Sequence, residues 1–128
     1  AGALDIAGRV HFVGGQTETS TIYPAFDVLA LSSRREGFPN VVAEAMSCGV
    51  PAIVTNSGAS ADIVAGFGEV TPVGSADAFA VGLSRLLARR GVSLAQDSRT
   101  HIITNFSLGA AASRTAAALQ SMLQVNTV

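Results

Sequence analysis

Glu36 and Glu44 stand on either side of a Gly-Phe-Pro-Asn turn, and they are the residues of this chain best spaced to do chemistry together. A carboxylate accepts hydrogen bonds on both oxygens, which suits the neighbouring hydroxyls of a ribose or a hexose. Pro39 sits where a helix should begin: its fixed φ fits the first helical position, and the N–H it lacks is not needed there. A helix starting at Pro39 offers unpaired backbone N–H groups near Asn40–Val42, and its dipole adds to their pull on a phosphate. Along that helix Asn40, Glu44 and Ser47 share a polar face, whereas Val41, Val42, Ala45 and Met46 line the other and are expected to pack on a sheet. One carboxylate just before the helix and one a turn inside it can grip two hydroxyl-bearing parts of one ligand, with a phosphate between them. Sugar, phosphate and nucleoside in a row describe a nucleotide sugar. Arg34 and Arg35 precede Glu36. Their place beside a phosphate site gives Arg34 a role in binding, with a plain surface residue as the alternative.

These residues need elements to hold them. Val10–Val13 reads as a strand ending at Gly14-Gly15, Thr19–Ala25 as a short helix, and Val28–Leu31 as a β-rich run closing at Ser32-Ser33. Pro39–Cys48 is a helix stopped by Gly49, Ala52–Thr55 a buried strand, and Asn56–Ser60 a loop of small residues. Ala61–Val64 is a helical turn and Glu69–Thr71 a last short strand. Ser75 caps a helix whose Phe79, Leu83, Leu86 and Leu87 recur at helical spacing. A polar stretch from Gly91 to Thr100 separates it from an Ala-rich helix, Ser107–Leu123, with Leu119, Met122 and Leu123 facing inward. Strands alternating with helices make an α/β fold with a parallel sheet, here of about four strands with flanking and C-terminal helices. The EGFPN turn then falls at the carboxyl end of a strand, where open sheets of this kind bind ligands.

The chain has 128 residues, 48% of them apolar and 13% charged, which fits one compact domain over residues 1–128. All its basic residues are arginines, nearly balanced by acidic ones, and no basic block could track a nucleic-acid backbone. Cys48 is the lone cysteine, so no intrachain disulfide forms, and it reads as a small buried thiol. The apolar runs break well short of a membrane span and no signal peptide opens the chain, so a cytoplasmic location is expected. Three further polar residues read as structural. His11 alternates with Val10 and Phe12 and points to the opposite sheet face, His101 is exposed or packed on a C-terminal helix, and Asp62 is a helix-start charge. The small side chains of Ser57, Gly58, Ala59 and Ser60 serve either a tight connection or the approach of a sugar to the backbone, and the second is favoured.

EGFPNVVAE, from Glu36 to Glu44, matches an E-x7-E signature, and its surroundings carry the same likeness. The continuation AMSCGVPAIVTNSGASADIV, the upstream RVHFVG and FDVLALSSRREGFPN, and the downstream GEVTPVGSADAFAVGLSRLL all resemble one family's pattern. That family is the retaining GT-B glycosyltransferases of family 4, group 1, which includes sucrose, glycogen-like and mannosyl transferases. The likeness runs from about Gly8 to about Leu87, and more loosely to Leu123. It implies a partial Rossmann-like GT-B donor domain, with a nucleotide-diphosphate sugar as substrate and retained anomeric configuration. It implies that Glu36 contacts the transferred sugar as the catalytic residue and that Glu44 binds the ribose hydroxyls. The amides of Gly37, Phe38, Asn40 and Val41 would hold the sugar and diphosphate, and Val13 and Gly14 would lie beside the base. Neither metal nor cofactor is expected. A full-length enzyme of this type is expected in the cytoplasm or peripheral to the inner membrane.

The sequence departs from that pattern upstream. The family carries a separate N-terminal acceptor domain, and two β-α units ahead of the RVHFVG-like strand, the first bearing a basic clamp for the diphosphate. This chain contains no Lys, so the clamp is incomplete. In the family's strand order the two absent strands lie between Val10–Val13 and Val28–Leu31. Those two runs are therefore expected to pair directly, or the open edge to recruit strands by self-association. Two rival functions stand at this point. One is a non-catalytic nucleotide-sugar-binding or remnant module. The other is a different GT-B enzyme, a phosphorylase or an epimerase, although the EGFPN turn speaks against the epimerase.

Overall fold

The computed structural model describes residues 2–125, so the two ends of the expected 1–128 domain lie outside the described residues. Strands β1 (Leu29–Leu31), β2 (Ala52–Thr55) and β3 (Glu69–Thr71) form a parallel sheet in the order β1-β2-β3. Leu29, Ala30 and Leu31 pair with Ala52, Ile53 and Val54, and Ile53, Val54 and Thr55 pair with Glu69, Val70 and Thr71. Helix α2 (Asn40–Ser47) carries the chain from β1 to β2, and α3 (Ser60–Val64) carries it from β2 to β3. Right-handed crossovers put both helices on one face of the sheet. There Ala52 and Val54 pack with Val42, Met46, Ile63, Val64 and Ile102. Helix α4 (Ala76–Arg89) covers the other face, over β2 and β3. Its closest approach is at Gly82, where an added Cβ would lie 3.0 Å from Ile53 Cδ1 and 3.1 Å from Thr71 Cγ2. With helices on both faces, β2 is buried along its whole length, which is why AIVT shows no polar alternation.

The local signals explain most boundaries. Ser75 Oγ accepts the Ala78 N–H at 3.3 Å and caps α4 as expected. Leu86 is buried on that helix, with Phe79, Leu83 and Leu87 half-buried beside it. Arg85 and Arg89 reach back to Glu69 on β3 at 3.0 and 3.5 Å. Helix α1 (Thr19–Ile22) continues as a 3-10 turn, Tyr23–Ala25, and Tyr23 packs with Ala45 and Val50. His101 clamps helix α5 (Val92–Phe106) to α3. Its Nε2 lies 3.0 Å from the Ile63 carbonyl, a bond in which the ring must donate, and its ring stacks on Phe67 at 5.0 Å.

Several expectations are corrected. Val10–Val13 is not a strand: the segment is unpaired, with Phe12 92% and Val13 67% exposed, so the sheet has three strands and His11 faces no sheet. It does not pair with β1 either, whose outer edge has no neighbour among the described residues. A strand keeps its shape through the ladder to its neighbours, and Val10–Val13 has none among the described residues. Residues from Val92 to Thr100 are not a connection but the first part of α5. Its inner stripe is built of small residues hidden among polar ones. Ala95 lies against Gly49, Ser98 is fully buried and Ile102 enters the core, which lets α5 approach α2 closely without apolar bulk. Arg99 also donates to the Ser47 carbonyl at the end of α2.

Helix α6 (Leu108–Val125) meets the rest of the described chain chiefly through α5, and Leu119, Met122 and Leu123 are exposed rather than inward. On α2 the buried stripe is the narrower Val42, Ala45 and Met46, so Val41 is exposed. Pro39 is the capping residue rather than the first helical one, with φ −75° and ψ 92°. No helix among the described residues is long and apolar enough to cross a membrane.

Candidate functional site

The loop Ser32–Pro39 leaves the carboxyl end of β1, and the loop Asn56–Ala59 leaves the carboxyl end of β2. In a parallel sheet these ends are neighbours, and hydrogen bonds tie the loops together. Thr55 Oγ1 donates to the Ser33 carbonyl at 2.5 Å, and the Ala59 N–H donates to the Gly37 carbonyl at 2.9 Å. The Asn56 N–H donates to the Thr71 carbonyl at 2.8 Å, which adds the end of β3. Gly58, at φ +54°, presses against the turn: an added Cβ would lie 2.1 Å from the Glu36 carbonyl oxygen and 2.6 Å from that of Gly37. The small-residue loop is therefore a tight connection at Gly58, where the main chain of the EGFPN turn occupies the space next to the glycine. On its far side the turn is held by Phe38, whose ring lies 5.7 Å from that of Phe106.

This packing leaves hydrogen-bonding groups unused. The N–H groups of Gly37, Phe38, Asn40 and Val41 have no acceptor among the described residues, whereas the Val42 N–H is taken by the Pro39 carbonyl at 3.0 Å. The usable row thus stops one residue earlier than expected. The half-buried Glu36 carboxylate has no partner among the described residues, and the exposed Arg34 and Arg35 take part in no ion pair there. The buried Ser57 and Ser60 hydroxyls beside the turn also lack partners.

Glu44 lies on the exposed face of α2 but is not free. Tyr23 Oη donates to its Oε2 at 3.0 Å and Thr19 Oγ1 to the same oxygen at 3.4 Å. Burial, and then the hydrogen bond and charge of Glu44, raise the Tyr23 pKa above its usual 10.0. The folded state then holds that proton more tightly than the unfolded chain. The stability it adds is complete below the unfolded value and is lost as pH climbs through the raised one. As pH rises above about 10, urea midpoints should fall more for the native chain than for Tyr23→Phe; parallel curves would count against the linkage. Sequence reasoning missed Tyr23 and Thr19, which lie 21 and 25 residues from Glu44. The one available signal was that the chain's single tyrosine sits in an apolar turn, where a buried phenol needs a polar partner.

Glu36, Gly37, Phe38, Asn40, Val41 and Glu44 thus share one strand–loop–helix unit. Val13 and Gly14 are not joined to it: both are exposed, and the bond at Val13 is a local one from Gln16 Nε2 to its carbonyl at 2.7 Å. A cavity of about 420 Å³, lined by Ser32, Thr55, Ser75, Phe79 and Leu83, opens on the α4 side and includes neither carboxylate.

Residues 1–89 match the sequence profile of the family described as "Glycosyl transferases group 1". The chain is 32% identical, over 93% of its length, to the lipopolysaccharide core biosynthesis mannosyltransferase LpsB of Rhizobium meliloti (strain 1021), covering 36% of that protein. It is 31% identical, over 77% of its length, to a D-inositol 3-phosphate glycosyltransferase of Mycobacteroides abscessus, covering 23% of it. Among solved structures, the sucrose-phosphate synthase from Thermosynechococcus elongatus superposes with a TM-score of 0.82 at 26% identity, over 98% of this chain and 33% of that one. A glycosyltransferase from Rickettsia africae ESF-5 shares the fold, with a TM-score of 0.81 at 20% identity over 95% of this chain and 34% of that one. The likeness defines part of a GT-B, Rossmann-like glycosyltransferase. The chain belongs to the group 1 glycosyltransferases. It spans about a third, or less, of the length of these proteins.

Proposed function

We propose that this chain carries the donor-binding site of a retaining glycosyltransferase, an enzyme that moves a sugar from a nucleoside diphosphate to an acceptor. What supports the reading most is the row of unpaired N–H groups on Gly37, Phe38, Asn40 and Val41, set between the carboxylates of Glu36 and Glu44. In this reading the sugar and diphosphate lie along that row, and the amides with the start of α2 stabilise the charge that grows on the leaving diphosphate. Glu36 binds hydroxyls of the transferred sugar and Glu44 accepts from the ribose diol. Arg34 adds a charge-assisted contact to the diphosphate. Fixed amides and arginine do the work of a divalent cation, so no metal or cofactor takes part. The acceptor is bound by a part of the enzyme outside this chain, and the isolated chain turns over little or no substrate. A mannosyltransferase and an inositol-phosphate glycosyltransferase among the relatives support sugar transfer.

Calorimetric titration with UDP, GDP and ADP tests the reading. One of them should bind, and Glu44→Ala should weaken it by about tenfold, the loss of hydrogen bonds to a charged acceptor. Binding that ignores Glu44→Ala removes that residue from the site. No binding by any of the three favours a non-catalytic remnant.

A further inference from the structure

Glu44 is exposed on a helix surface, and an exposed Glu turns freely about its side-chain bonds and loses that freedom when it binds a ligand. Here something already restrains it. Tyr23 is only 6% exposed, and its ring is fixed by packing with Ala45, Val50, Leu29 and Cys48 and by an edge-on contact with Phe26 at 6.1 Å. Its hydroxyl is therefore a fixed point at the protein surface. Both Tyr23 and Thr19 donate to the same oxygen, Oε2, while Oε1 has no partner among the described residues.

We propose that Tyr23, seconded by Thr19, is a positioning residue that locks the Glu44 carboxylate with Oε1 turned outward to receive a ribose diol. This rests on the assignment of Glu44 to the ribose and deepens it. The lock orders Glu44 before the ligand arrives, so its ordering cost falls on folding rather than on binding. The ring of Tyr23 is anchored by packing, and the carboxylate it bonds lies on an exposed helix face. Loss of the hydroxyl therefore affects binding more than folding.

The test uses the full chain and whichever of UDP, GDP and ADP binds it best, beside the 2′,3′-dideoxy form of the same nucleotide. Tyr23→Phe should weaken the ribonucleotide about five- to tenfold. It should leave the dideoxy form unchanged and shift Tm by no more than about 2 °C. Combined with Glu44→Ala, it should add no further loss, because the two residues act through one contact. Thr19→Val, which leaves Tyr23 in place, should cost about two- to threefold on the ribonucleotide alone. Equal losses on both nucleotides would show a structural role and overturn the lock. So would an unchanged ribonucleotide affinity in Tyr23→Phe when Glu44→Ala lowers it. If Glu44→Ala itself changes nothing, it is the ribose assignment that fails, and the lock fails with it.

Discussion

Gly58→Ala is expected to destabilise the fold by about 2–4 kcal/mol and to weaken nucleotide binding with it. Two penalties act at this position. An alanine would have to hold φ near +54°, a left-handed conformation that side chains disfavour. Its Cβ would also stand 2.1 and 2.6 Å from the carbonyl oxygens of Glu36 and Gly37. Those are main-chain atoms, with no flexible side-chain end to swing aside, so the EGFPN turn or the loop after β2 must move. Movement breaks the Ala59–Gly37 bond and displaces the N–H row next to Glu36. Gly66 separates the two penalties: it has φ +86° but nothing within 4 Å of an added Cβ. Gly66→Ala should therefore cost only about 1 kcal/mol, the conformational part. Urea unfolding of both variants decides the matter, and equal costs would remove the steric role assigned to Gly58.

The second large effect concerns Glu36. In the intact enzyme Glu36→Ala is expected to lower kcat on the order of 100-fold while changing nucleoside diphosphate affinity by no more than about threefold. A group on the transferred sugar acts where charge and geometry change during transfer, whereas the nucleotide is held elsewhere in the site. Glu36 has no hydrogen-bond partner among the described residues, so its removal should leave the fold almost as stable as before. Turnover measured beside calorimetric affinity reads the split. A large loss of nucleotide affinity with little change in turnover would contradict the assignment to the sugar.

How far the sequence could be read depended on where each residue's partners lie. Ala52–Thr55 and Glu69–Thr71 fall at the expected bounds, because short apolar runs between turn residues carry their own limits. The Ser75 cap is equally local. Val10–Val13 has the same look as a strand, but a strand is a property of a pair, and it has no partner among the described residues. Helix α5 went unread because its packing stripe uses the small residues Ala95 and Ser98 in place of a row of large apolar ones. At the site, the EGFPN turn was legible as a strand–loop–helix junction, since all its parts are adjacent in the chain. What holds it was not. The contact of Gly58 with Glu36 and the bond from Tyr23 to Glu44 join residues more than twenty positions apart, and no periodicity reports them.

The loops after β1 and β2 are stitched chiefly by main-chain atoms: the Ala59 N–H on the Gly37 carbonyl, and Gly58 against the Glu36 carbonyl. The side chains of Arg34, Arg35 and Asn56 take no part in that stitching and are exposed. Positions of this sort can be exchanged without unpicking the loops. A scaffold built in this way is evolvable: its preference among ligands can drift through a few surface substitutions while the frame that receives them keeps its shape.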